Sequence, residues 1–393
     1  MRITSLRLTP VAVADPPLRN SWGVHAPHAL RIIVELETDE GVVGLSEGPG
    51  GAAFLGELAA AGQIVRGEDP WHLERIRLKL RDRMRAYSII EVACLDACAR
   101  SIGRPLYDVL RGLVRPRVPF ASYLFYKYEG ENDPWGEVGS PDEMVRLAQR
   151  FHEQFGFTSI KVKGGVLPPD DEIETMRLLR QAFPTHKLRI DPNAIWSVAT
   201  SLRVAHALAD CDLEYLEDPT AGMQGMAAVA RHTHIPLSTN MVVTDFDEIP
   251  VAVEMRAVQV ILCDHHYWGG MTGCKRLAAV CESFALGLSM HSNNHLGISL
   301  AAMTHFAATT PYLNFACDTH YPWQAEDVIV GGKLQFRDGS LEPPAGPGLG
   351  VELDRDRLAA LHEVYERGDW RSRDDTAEMV RRDPFYLPFR PRW

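Results

Sequence analysis

A chain of 393 residues exceeds one ordinary core and indicates two domains, or a barrel with an accessory domain. With 46% hydrophobic and 24% charged residues and a formal charge of −11, the composition is globular and argues against a nucleic-acid surface. No window holds the roughly 18 uninterrupted apolar residues of a membrane span. Thr4, Arg7 and Thr9 interrupt any secretion signal ahead of Val11-Ala12-Val13-Ala14, and seven cysteines without a CxxC pair fit a reduced cytoplasmic protein.

Ile3 to Pro10 and Ala29 to Thr38 read as strands, and Thr38-Asp39-Glu40-Gly41 as a hairpin turn into Gly41 to Leu45. Helical runs near 52–66, 70–83 and 87–101 follow, closed by Gly103 and Pro105. Strands followed by helices make residues 1–115 a compact α+β unit. The loop carrying Asn20, Trp22 and His25 is either solvated or a lid. Cys94 and Cys98, four apart in a helical run, fit a buried pair of small apolar residues better than a redox site.

From about residue 117 the texture changes to short apolar runs alternating with amphipathic ones. The spacing predicts strands at Val118–Phe125, Ser159–Val162, Leu188–Ile190, Leu213–Leu216, Pro236–Ser238, Val258–Cys263, Leu286–Met290 and Leu313–Ala316. Ser140-Pro141-Asp142-Glu143 opens the first intervening helix as a capping box with proline at its first position. Eight strands alternating with helices predict a (β/α)8 barrel over 116–325. A doubly wound sheet is the alternative, but no glycine-rich dinucleotide fingerprint follows the early strands. The tail reads as a hairpin-like piece (Val328 to Phe336), a Gly/Pro-rich link (Pro343 to Gly350) and a helix near 354–367.

The strand ends carry Lys161 and Lys163, Asp191 with Asn193, then Glu217, Asn240, Asp264, His291 and Asp318, about one βα unit apart. A closed barrel gathers such residues at one mouth. Singly, each is as well explained by a helix cap or a solvated side chain. Asp191, Glu217 and Asn240 on consecutive strands offer hard oxygen ligands suited to Mg²⁺. Lys161 and Lys163 point to one side of their strand, where two ammonium groups depress each other's pKa and favour a neutral base.

His291-Ser-Asn-Asn-His295 has three readings: a metal-binding pair, a strand-end base, or a helix cap built from Ser292, Asn293 or Asn294. Asp264, one strand earlier, is placed to bind the His291 imidazole and fix its tautomer. A lysine on one side, a histidine–aspartate pair on the other and a cation between suit proton abstraction beside a carboxylate.

The chain resembles the enolase superfamily, mandelate-racemase-like branch, and within it the glucarate dehydratase family. The residues that carry this are Lys161-Val-Lys-Gly-Gly165, Asp191-Pro-Asn193 with Trp196, Leu216-Glu-Asp-Pro219, Thr239-Asn-Met241 with Thr244-Asp245, His291-Ser-Asn-Asn-His295 and Asp318-Thr-His320 with Trp323-Gln324. Asn20-Ser-Trp-Gly-Val-His25 and Arg373-Asp-Asp375 extend the likeness over nearly the whole chain. Asn240 as third ligand, together with the HSNNH run, is its most specific element.

The resemblance implies an α+β cap (1–115) over a modified (β/α)8, TIM-like barrel (116–325), with residues 326–393 packing back on the cap. It implies Mg²⁺ on Asp191, Glu217 and Asn240, and Lys163 and His291 as acid/base groups, with Asp264, Asn193 and Lys161 in the catalytic set. It further implies an acid-sugar substrate contacted by Asn20, His25, Ser88, Tyr123, Lys161, Asn193, Asn240, Asn293, Asp318, His320 and Arg373. Ser88 stands where the family has a threonine, and the Asp264–His291 interval is one residue longer, through Gly269-Gly270. The implied reaction is dehydration of D-glucarate or L-idarate to 5-dehydro-4-deoxy-D-glucarate. The alternatives are a dehydratase of another aldarate or aldonate, or a racemase or epimerase using the same bases. Beyond the superfamily lie a non-catalytic sugar-acid-binding protein and a metallohydrolase using His291 and His295. The partner is a small molecule, with neither nucleic acid nor membrane; a homo-oligomer suits the barrel class, but no interface is legible.

Overall fold

The computed structural model describes residues 1–131 and 133–393. Three antiparallel strands, Ile3–Ala14, His28–Thr38 and Val43–Pro49, lie side by side in that order. The first runs past the expected stop at Pro10, pairing Val11 with Arg31 and Ala12 with Leu30. It is an edge strand, where proline's missing N–H breaks no ladder.

The helices Ala52–Val65, Leu73–Lys79 and Met84–Ser101 pack behind this sheet. The third is buried almost all round because it serves two cores. Tyr87, Ile90, Ala93 and Cys94 fill the cap, while Val92, Leu95 and Ala99 join the barrel core. Cys94 and Cys98 are free and buried, as the apolar reading expects. The helix Arg355–Arg367 returns to the first strand, with His362 Nδ1 2.8 Å from the Pro10 carbonyl oxygen.

Eight parallel strands form the nearly closed barrel: Val118–Phe125, Ser159–Lys163, Lys187–Asp191, Leu213–Glu217, Leu237–Thr239, Val260–Cys263, Gly287–Met290 and Cys317–Thr319. The ladder runs unbroken from the seventh strand back through the first to the eighth. Other bonds join the seventh to the eighth: Asn314 N–H to the Leu288 carbonyl at 3.1 Å, Leu288 N–H to Asn314 Oδ1 at 3.0 Å, and Ser289 Oγ to the Ala316 carbonyl at 3.0 Å. This seam corrects the prediction of the last strand. Leu313–Ala316 is apolar enough to read as a strand, but it is irregular chain that closes the barrel, and the strand itself is Cys317–Thr319.

Val328 to Phe336 is likewise no hairpin: Ile329 pairs with Leu353, and Ser340–Leu341 pairs with the start of the first barrel strand. A helix at Asp375–Arg382, unforeseen in the sequence, is capped by Asp374. Among the described residues, no helix is long and apolar enough to cross a membrane.

Candidate active site

Strand register builds the mouth in layers. Lys163 pairs with Phe125 on one side and Asp191 on the other, and one layer down Lys161 pairs with Tyr123 and Arg189. Alternation therefore sends Lys161 and Lys163 to the interior at successive depths. The loop beyond Lys163 crosses directly over the loop after Asp191. Gly165 has φ +70°, and a Cβ there would stand 2.5 Å from the Pro192 carbonyl oxygen, so only glycine fits. The buried Glu172 carboxylate holds this loop by accepting from the N–H groups of Gly165, Val166 and Leu167.

On the barrel floor Lys161 Nζ lies 2.7 Å from Glu217 Oε2, 2.7 Å from Asp318 Oδ2 and 3.6 Å from Asp191 Oδ2. Lys163 Nζ is 2.7 Å from Asp191 Oδ2, which also accepts from the Tyr123 hydroxyl at 3.1 Å. Asn240 Nδ2 donates to Glu217 Oε1 at 2.8 Å. Burial favours neutral Asp191, but the two lysine ammonium groups outweigh it and hold its pKa at about 2. Glu217 is pushed the other way: burial and its neighbours Asp191, Asp318 and Asp218 raise it well above the carboxylate range against the pull of Lys161.

Burial lowers the Lys161 pKa, yet Asp318 and Glu217 more than reverse this and raise it. The expected mutual depression of the two lysines is therefore not what governs Lys161, because carboxylates surround it.

Opposite Lys163, His291 Nδ1 lies 3.1 Å from Asp264 Oδ2. The other oxygen, Asp264 Oδ1, takes the His266 N–H at 2.8 Å and its Nδ1 at 2.9 Å. These imidazole bonds outweigh burial and keep Asp264 well below the usual range. His266 Nε2 reaches the Glu47 carbonyl at 3.1 Å, so the cap sheet buttresses this pair.

A cavity of about 460 Å³ opens between the two sides. Asn20, His25, Tyr123, Lys163, Asn193, Asn240, His291, Asn293, His320 and Arg373, all expected at the site, line it, and so do Trp22, Phe125 and Asp375. Asn193 sits at φ 57°, with its Oδ1 accepting from Trp22 Nε1 at 3.1 Å, which ties the loop carrying Asn20, Trp22 and His25 to the third strand end.

Three expected substrate contacts do not line the cavity: Lys161, wholly buried on the barrel floor, Ser88 and Asp318. Ser88 is wholly buried, donating to the Met84 carbonyl at 2.9 Å and accepting from the Gly269 N–H at 3.1 Å. The Gly269-Gly270 pair makes this possible: both residues have positive φ, and a Cβ on Gly270 would stand 2.3 Å from Glu91 Oε2. Asp318 is also wholly buried and serves as counter-ion to Lys161 and Arg189 beneath the cavity.

Geometry bears on two of the HSNNH readings, the histidine pair on one helix face and the local helix cap. The following helix begins only at Gly297. His295 packs edge-on against the rings of His265 and His266 and shares no helix face with His291. The helix cap comes from afar rather than from Ser292, Asn293 or Asn294. Glu47 accepts from the N–H groups of Leu296 and Ser299, and Asp327 from that of Gly297.

Comparison with known proteins meets this geometry. A model described as "Enolase C-terminal domain-like" matches residues 143–357. The chain belongs to the enolase superfamily. It is 48% identical to a probable glucarate dehydratase of Streptomyces coelicolor, over 100% of this chain and 99% of the relative. A Thermobispora bispora enolase complexed with magnesium and formate superposes with TM-score 0.97 at 48% identity, covering 100% of both chains. A Mycobacterium smegmatis enolase complexed with tartrate also gives TM-score 0.97, at 50% identity, over 100% of this chain and 98% of that one. Within the superfamily this chain is an enzyme of the glucarate dehydratase-like, hydro-lyase type.

Proposed function

We propose that the chain is a Mg²⁺-dependent acid-sugar dehydratase converting D-glucarate, and its epimer L-idarate, to 5-dehydro-4-deoxy-D-glucarate. The observation that carries this reading is the opposition of Lys163 and the His291–Asp264 pair across one cavity, with Asp191, Glu217 and Asn240 on the three consecutive strands between them. The printed name of the Streptomyces coelicolor relative and the magnesium in the Thermobispora bispora structure support it.

The residues present fit a divalent cation. Two buried carboxylates and an amide converge there as a hard donor set, and burial together with crowding by Asp191, Asp318 and Asp218 disfavours the Glu217 carboxylate despite the Lys161 ammonium 2.7 Å away, an excess of negative charge that a cation would relieve. Asp191, Glu217 and Asn240 would hold the ion, which when bound supplies positive charge against the enediolate that develops on the substrate carboxylate.

The chain's own groups perform the proton transfers. Lys163 Nζ faces one side of the reacting carbon and His291 the other, so each removes the C5 proton of one epimer. Asp264 holds the His291 Nδ1–H and leaves Nε2 as the working atom. In the protonated state that nitrogen donates to the C4 hydroxyl. The C4–O bond breaks, water leaves, and the enol becomes the ketone.

The test is incubation with Mg²⁺ and D-glucarate, with the 2-keto acid followed as its semicarbazone. Keto-acid release is expected. Turnover of a different aldarate or aldonate alone would overturn the glucarate assignment, and proton exchange from D₂O without loss of the hydroxyl would show a racemase instead.

A further inference from the structure

We infer that Asp15, just ahead of the lid loop and behind the cavity wall, positions the end of the site that receives the substrate's distal hydroxyls and carboxylate. This rests on the acid-sugar reading above. Asp15 is a buried carboxylate whose two oxygens collect three donors from three separate elements. His25 Nδ1 of the lid loop lies 2.9 Å from Oδ2, Asn294 Nδ2 of the loop after the seventh strand donates to Oδ2 at 2.9 Å, and His320 Nε2 after the eighth strand lies 3.4 Å from Oδ1. The His25 and His320 rings stack 5.6 Å apart, and both line the cavity.

The geometry sets what these rings can offer. A carboxylate only accepts, so the nitrogen of each ring that faces Asp15 carries a proton. That leaves His25 Nε2 and His320 Nδ1 for the cavity, and neither has a hydrogen-bond partner among the described residues. In the neutral form, two imidazoles fixed in this sense present acceptors for hydroxyl groups, a feature of a polyhydroxylated acid and not of a plain dicarboxylate.

The charge for the distal carboxylate comes from Arg373, which Asp15 also orders, one step removed. Asn294, held by Asp15, accepts from Arg373 Nη1 at 3.0 Å. Arg373 meets Asp375 through Nε at 2.6 Å and Nη2 at 2.7 Å, and Asp375 accepts from Asn20 Nδ2 at 2.7 Å, back in the lid loop. The bonds thus form a closed circuit from Asp15 through the barrel and the C-terminal segment to the lid that begins at Asp15. Such a circuit fixes the subsite before substrate arrives, so binding does not bear the cost of ordering it.

The experiment compares wild type with Asp15→Asn and Asn294→Ala, each loaded with Mg²⁺. Asparagine keeps the volume but has one acceptor atom where the circuit needs two. The expected result is a rise of about tenfold or more in KM for D-glucarate with kcat within about threefold, because the reacting atoms lie at the Lys163–His291 end. Long-range ¹⁵N spectra of the histidines give a readout independent of turnover. In wild type His25 is protonated on Nδ1 and His320 on Nε2, and Asp15→Asn shifts at least one of these signals. Asn294→Ala, which removes the link to Arg373 and one of the two donors on Asp15 Oδ2, raises KM while the protonated nitrogen of each ring stays the same, and serves where Asp15→Asn fails to fold. Histidine signals unchanged in Asp15→Asn, a proton moved to the other ring nitrogen of either histidine in Asn294→Ala, or an unchanged KM in either variant of an active enzyme would overturn the inference. A wild type inactive on D-glucarate with the histidines protonated as stated would overturn the substrate reading and leave the Asp15 assignment standing on the spectra.

Discussion

Replacing Glu47 with glutamine tests how the cap is locked to the barrel. Glu47 is buried in the third cap strand, yet three donors meet it: Arg31 Nε at 2.6 Å, Leu296 N–H at 2.8 Å and Ser299 N–H at 2.9 Å. The last two belong to the start of the barrel helix that follows His291. A glutamine keeps one acceptor oxygen and turns an NH₂ group against at least one of these donors. It also leaves the buried Arg31 guanidinium without its counter-charge. Loss of a cap costs about 0.5–2 kcal/mol, whereas breaking a buried ion pair costs about 3–5 kcal/mol, so the pair sets the scale. For 393 residues the unfolding entropy is about 0.8 kcal/mol/K, which converts this loss to a fall of about 4–6 °C in Tm. Calorimetry on the holoenzyme reads it directly. A fall of less than about 1 °C would refute the reasoning that this carboxylate couples the two units.

Further outcomes follow from the same geometry. Asp264→Asn removes the charge that orients His291, and kcat should fall by about 10²–10⁴-fold with the fold intact by circular dichroism. Asp191→Asn should abolish Mg²⁺ binding in calorimetric titration while His295→Ala leaves it, the reverse of what a site on the two histidines would give. Gly270→Ala drives a methyl group into Glu91 at a backbone angle of φ +74°, and urea unfolding should show a loss of about 1–3 kcal/mol. His305 donates from Nε2 to the Leu349 carbonyl while its buried Nδ1 has no partner among the described residues, and burial lowers its pKa to about 4. The unfolded chain therefore binds a proton that the fold refuses, and stability should drain away as pH falls from about 6.5 to about 4. Removing this in His305→Gln should shrink the loss by about 3 kcal/mol across that window, measured by urea unfolding at each pH.

The barrel was legible because each strand's apolar run stops at a chemically distinct residue. Lys163, Asp191 and Glu217 end their strands in the structure as the sequence pattern expects. The failures have one physical form. Leu313–Ala316 is apolar, but its chain closes the seam through Asn314 instead of joining a ladder, and apolarity cannot tell these apart. Ser88 has the hydroxyl a substrate contact needs, yet the direction of that hydroxyl is decided by Gly269 on an element 181 residues away.

What the sequence hides most completely is the second layer of the site. Nothing local marks Glu47 as the cap of a helix at Gly297, Asp327 as its companion, or Asp15 as the acceptor for His25, His320 and Asn294. Apart from the ten residues between Asp15 and His25, each lies on a different element and 30 or more residues from the group it holds, so no periodicity connects them. All three are carboxylates excluded from water, and a buried carboxylate persists only where enough donors surround it. Asking which donors compensate each buried acid finds this layer in the structure, where motif spacing does not. For His291 the chain of answers runs from imidazole to Asp264, from Asp264 to His266, and from His266 to the backbone carbonyl of Glu47 in the cap sheet. The residue proposed as a base at one strand end thus has its orientation set by a sheet that contributes no atom to the chemistry, which is why cap and barrel have to be treated as one catalytic unit.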